Sequence, residues 1–227
     1  TLGIITAAVL KLYPAPRSCN TAWVALPDVA AAISLIGRMR QLCGDRLTGF
    51  ELMSRQSLEF VVRHVPGCTD PFAAVHPWYV LIETASGEPG AAQSALERLL
   101  ALALEQGLIT DAAIAQDGAQ AKAFWAIREN QSAGQKTEGA AWKHDVSVPV
   151  SQVADFIDEA TAAVEAFQPG CRVVAFGHVG DGNVHYDVLV PDGGDGEAHS
   201  ALRDQGAQIV HDIVARRMGS ISAEHGL

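Results

Sequence analysis

Two apolar runs, at 173–176 and 188–190, bracket the segment Gly177-His178-Val179-Gly180-Asp181-Gly182-Asn183-Val184-His185. Glycine opens backbone conformations that other residues avoid, so the chain can reverse tightly here. Apolar run, glycine-rich turn, apolar run reads as strand, turn and strand. It places two imidazoles at opposite mouths of one turn. An antiparallel hairpin at this point constrains what the rest of the chain can build around it.

The preceding segments alternate strand-like and helix-like patterns. Residues 2–12 read as a strand or an extended entry, and strands are expected at 20–26, 47–53, 78–84, 109–115 and 145–150, the clearest being WYVLIET at 78–84. Helices are expected from Asp28 to about residue 42, from Ser54, and over 91–106, 119–135, 151–167 and 198–218. Several links are too short for parallel crossovers. The expected fold is therefore α+β: a ferredoxin-like antiparallel sheet with helices packed on one face.

Composition narrows the partners. The chain has 227 residues, 48% hydrophobic and 19% charged, enough apolar content for a sizeable core. A formal net charge of −10 argues against nucleic acid, whose phosphates need clustered Lys and Arg. No apolar run approaches the roughly 20 residues of a membrane span. Cys19, Cys43, Cys68 and Cys171 include no C-x-x-C pair. They read as free thiols of a reducing compartment, and a cytoplasmic protein is expected. The chain begins without Met inside an apolar run and stops at Leu227. A piece of a longer protein is expected.

Three groups of residues could carry chemistry. His178 and His185 are good nitrogen ligands for zinc or another first-row divalent ion. Glu224, next to His225 near the end of the chain, would add a hard oxygen, and three protein ligands leave positions open for a substrate. Arg128 and Ser132 stand four apart on an expected helix and share a face. With Lys143 they would cradle a carboxylate. His64, His76, His144, His199 and His211 are scattered and read as surface or packing residues.

The blocks at 177–185 and 219–226 resemble paired motifs of the FAD-linked oxidase C-terminal domain. Trp125-Ala126-Ile127-Arg128-Glu129 and the block at 143–149 match two more of the family's blocks. The resemblance covers the chain in order. It implies that residues 1–12 are the tail end of a preceding FAD-binding domain, and that 13–227 form the substrate and metal domain. It implies His178, His185 and Glu224 as ligands of a divalent metal, zinc or manganese. It implies His225 as the base that takes a hydroxyl proton. Arg128, Ser132, Lys143 and Asp187 would contact substrate. Ser132 stands where threonine is usual. Asp187 stands where an asparagine is expected, and an ionised acid there would repel an anion.

The implied activity is oxidation of a D-2-hydroxy acid to the 2-oxo acid, with hydride passing to FAD that is mainly bound by the preceding domain. An electron-transfer flavoprotein or a quinone would take the electrons onward, and a homodimer is an option. A metal-dependent hydrolase and a non-catalytic, metal-stabilised binding module are the alternatives.

Overall fold

The computed structural model describes residues 3–12, 15–88 and 90–224. Strands β1 (Ser18–Leu26), β2 (Leu47–Ser54), β3 (Trp78–Ser86), β4 (Asp111–Ile114), β5 (Ala141–Ser147), β6 (Arg172–Gly177) and β7 (Asn183–Leu189) form one sheet. Its order is β4-β1-β3-β2-β6-β7-β5, and neighbouring strands run antiparallel. The helices are α1 (Val29–Cys43), α2 (Arg55–His64), α3 (Ala91–Glu105), α4 (Gly118–Glu129), α5 (Gln131–Gln135), α6 (Val153–Phe167), α7 (Gly196–Ala201) and α8 (Arg203–Arg216). Among the described residues no helix is long and apolar enough to cross a membrane.

The first four strands and their helices follow the ferredoxin-like order, with α2 inserted between β2 and β3. The second part, from β5 through α6, β6, β7 and α8, repeats most of that plan. The alternation of side chains along each strand divides the sheet into two faces. Ala22, Val24 and Leu26 of β1 join Val80 and Ile82 of β3 and Val184, Tyr186 and Val188 of β7 on one face. That face is covered by α1, α3, α6 and α8, through residues such as Leu35, Leu99, Phe156 and Val210. Asp28 starts α1 as its sequence suggests, its carboxylate accepting from the Ala31 amide at 2.7 Å.

Three details differ from the sequence expectation. The opposite face is not bare: Leu58, Phe60 and Val61 of α2 and Phe124 and Ile127 of α4 pack on Trp23, Tyr79, Leu81 and Val174. Residues 3–12 form no strand, and Ile4, Ile5, Val9, Leu10 and Leu12 stand exposed. A strand needs a neighbour for its backbone groups, and no strand of the sheet pairs with this segment. The helix expected over 119–135 breaks at Asn130, and the one over 198–218 breaks at Leu202.

Candidate functional site

The second face is covered by α2, α4 and α5 near the middle of the sheet and leaves a cavity toward β5. Strand parity decides what lines it. In register, Asp145 of β5 faces His185 of β7, and Lys143 faces Asp187. Phe176 of β6 lies opposite His185 on its other side. All of these side chains project to the same face, where α4 brings Arg128 and α5 brings Ser132. The cavity holds about 710 Å³ and is lined by Arg128, Ser132, Lys143, Asp187, His178 and His185, among others.

The glycine turn is built as its composition suggests. It joins β6 to β7 through a 3-10 turn over Val179–Asp181. Gly177 has φ 145° and Gly182 has φ 78°, both in the left-handed region. A Cβ on Gly182 would stand 2.0 Å from the Val148 carbonyl oxygen. The turn closes on itself through the Asp181 amide, which donates to the His178 carbonyl at 2.9 Å. His178 therefore leaves the end of β6 at a fixed angle, and His185 sits inside β7.

Glu224 is delivered by a different device. Ser147 and Ser220 exchange two backbone hydrogen bonds of 2.9 Å, tying the last described residues to β5. The Ala223 amide donates to the Asp145 carbonyl at 3.0 Å. The Glu224 amide donates to the Asp145 carboxylate at 2.7 Å. Its own carboxylate then lies between the two imidazoles: Oε1 is 3.4 Å from His178 Nε2, and Oε2 is 3.6 Å from His185 Nε2. Ligand atoms bound to one zinc ion at about 2.0–2.2 Å stand about 2.8–3.6 Å apart. Each of those two spacings is compatible with a shared ion, and mixed nitrogen and oxygen donors suit a divalent metal. Among the described residues, the group whose ligand atoms all lie within 4.8 Å of one another is Asp145, His185 and Glu224, which leaves His178 out.

Two carboxylates that the sequence reading missed support the histidines from behind. Glu51 of β2 is 3% exposed; one oxygen is 2.8 Å from His178 Nδ1, the other accepts from Arg128 Nε at 2.8 Å. Asp145 lies 3.7 Å from His185 Nδ1 and accepts from Asn183 at 2.8 Å. Glu51 was visible as the charged residue inside the run LTGFELM, and Asp145 as the acid of the block at 143–149. Phe176 links the groups differently, with its ring 4.8 Å from that of His185 and the Arg128 guanidinium 5.4 Å above it. His144 and His211, read as packing residues, also line the cavity. His225 lies outside the described residues.

Electrostatics follow from burial. Burial lowers the pKa of His185, opposed by the charges of Glu224 and Asp145. Burial pushes Asp187 up to about 6, against the pull of Lys143. Asp187 is 4% exposed, so the acid that would repel an anion is held closer to its neutral form than a surface aspartate. His144 falls to about 4 because burial disfavours its charged form.

The family model described as FAD linked oxidases, C-terminal domain, matches residues 15–227. A D-2-hydroxyglutarate dehydrogenase of Xanthomonas citri pv. viticola is 37% identical over 100% of this chain and 47% of its own length. A mitochondrial D-2-hydroxyglutarate dehydrogenase of Bos taurus is 34% identical over 100% of this chain and 40% of its own. The chain thus spans under half the length of these relatives. Among solved structures, a p-cresol methylhydroxylase matches with TM-score 0.61 at 12% identity, covering 92% of this chain and 45% of that one. An alkyldihydroxyacetonephosphate synthase matches with TM-score 0.59 at 13% identity, over 98% of this chain and 44% of that one. At such identity these two structures speak for the fold. With a family model that spans nearly its whole length, the chain belongs to the FAD-linked oxidase C-terminal domain family.

Proposed function

We propose that this chain is the substrate- and metal-binding domain of a flavin-dependent dehydrogenase that oxidises a D-2-hydroxy acid to the 2-oxo acid. The observation that carries the proposal is the Glu224 carboxylate between His178 and His185, in a cavity also lined by Arg128, Ser132 and Lys143. The D-2-hydroxyglutarate dehydrogenases among its relatives support the substrate class.

His178, His185 and Glu224 would hold the ion, with zinc or manganese suited to that donor set. When bound, the ion supplies Lewis acidity that lowers the pKa of a 2-hydroxyl, and FAD supplies the hydride acceptor. The chain's own residues do the rest. Arg128, Ser132 and Lys143 bind and orient a carboxylate through charged hydrogen bonds. His225 is the proposed base for the hydroxyl proton, a role suited to imidazole. Asp187, whose pKa burial pushes up to about 6, would contact the substrate beside Lys143, and its opposing charge shrinks as pH falls toward that value. Four thiols, all free, fit a reducing compartment such as the cytoplasm.

The test is flavin reduction of the full-length protein across matched D- and L-2-hydroxy acids. Rapid bleaching by D-isomers alone is expected. Bleaching by none of them, or by L-isomers only, would remove the proposal.

A further inference from the structure

We infer that Glu51 is a positioning residue that ties the metal-ligand half of the site to its carboxylate-binding half, an inference that rests on the function proposed above. Glu51 sits on β2, in a strand whose neighbouring residues Phe50 and Leu52 are buried in the core. It is itself 3% exposed. Burying a carboxylate is costly unless its partners are charged and well placed, and mere packing would be better served by an apolar side chain.

Both of its partners belong to the site. Oε2 accepts from Arg128 Nε at 2.8 Å, and Oε1 lies 2.8 Å from His178 Nδ1. At that distance the charge of the carboxylate favours the form of His178 that carries its proton on Nδ1. That leaves the Nε2 lone pair for a ligand role, on the side facing Glu224. A ligating histidine is ordinarily oriented by such a partner on its other nitrogen. The same carboxylate takes only one of the donors of the Arg128 fork and fixes the plane of the guanidinium. Phe176 supports that plane from below at 5.4 Å. One side chain thus sets the tautomer of a metal ligand and the aim of the anion-binding cation.

The experiment uses the full-length flavoprotein and the near-isosteric Glu51→Gln. Zinc affinity is read by competition with a chromophoric chelator. Affinity for glutarate, a dicarboxylate with no hydroxyl to oxidise, is read by calorimetry. Near-ultraviolet circular dichroism checks the fold. Zinc affinity is expected to fall about 10–100-fold, the usual loss when such an orienting partner is removed. Glutarate affinity is expected to fall about tenfold or more, as one charged contact loses its aim.

Loss of neither, or of only one, overturns the tie, as does a wild-type protein that holds no zinc. If Glu51→Gln does not fold, Glu51→Asp keeps the charge but falls one methylene short. It should weaken both affinities at least threefold, and unchanged values in both would overturn the inference. Neither readout needs turnover. A wild-type protein that reduces no flavin would therefore sink the proposed function without deciding the role of Glu51.

Discussion

At the scale of single residues, the cavity mixes cations and acids that hold each other in check. Arg128 is paired with Glu51, and Lys143 stands opposite Asp187. Substrate charge should decide how much each cation matters. Arg128→Ala in the full-length enzyme should lower kcat/KM about ten- to a hundredfold on a diacid, the cost of one charged hydrogen bond. Lactate has no distal carboxylate and should be affected far less. Steady-state assays on both substrates check this, and equal small losses would make Arg128 a bystander.

His144 gives a residue-scale pH dependence. Its Nδ1 donates to the Tyr186 carbonyl at 2.7 Å, and its folded pKa is lowered from 6.5 to about 4 by burial. Between those values the unfolded chain binds a proton that the folded chain refuses, so stability falls as pH drops from 6.5 toward 4. The contribution is up to about 3 kcal/mol. Urea midpoints of wild type and His144→Gln, compared from pH 7 to pH 4, should show a flatter acid limb in the variant.

At the scale of elements, the β6–β7 hairpin carries most of the local information. Gly182→Ala meets two obstacles at once: φ 78° and a backbone oxygen 2.0 Å from the new Cβ. The expected cost is about 2–5 kcal/mol, part strained backbone and part displacement of the segment around Val148. Displacement would also move His178 away from Glu224. Thermal unfolding should report the first effect and chelator competition for zinc the second. If Tm and zinc affinity both match wild type, the turn is not what holds the histidine in place.

At the scale of the whole molecule, the domain presents two different faces of one sheet. One is filled by α1, α3, α6 and α8 and serves as core. The other is half covered, and the uncovered part becomes the cavity. Residues 3–12 expose Ile4, Ile5, Val9, Leu10 and Leu12, and the proposal is that they meet a preceding domain. The proposal that such a domain holds most of the FAD has a direct check. This chain expressed alone should purify without flavin absorbance near 450 nm, about the range of oxidised flavin, and should oxidise no 2-hydroxy acid. Stoichiometric flavin in the purified chain would contradict it.

The sequence by itself determined the elements and much of the residue inventory. Periodicity marked β3 and α3, and the Asp28 cap was legible because it is local. The hairpin was legible because glycine turn chemistry depends on residues next to each other. The meeting of Glu224 with the two histidines was suggested by a family resemblance and depends on a segment pinned to β5.

Only the tertiary structure decided the rest. Glu51 reaches Arg128 across 77 residues of chain, and Glu224 reaches Asp145 across 79. No local pattern encodes those distances, because they depend on the register of strands that follow one another only in space. Strand parity then turned Lys143, Asp145, His185 and Asp187 toward one cavity rather than into the core. Residues 3–12 read as a strand or an extended entry, because their composition suits a strand. They form none, because strand formation requires a partner that composition cannot supply.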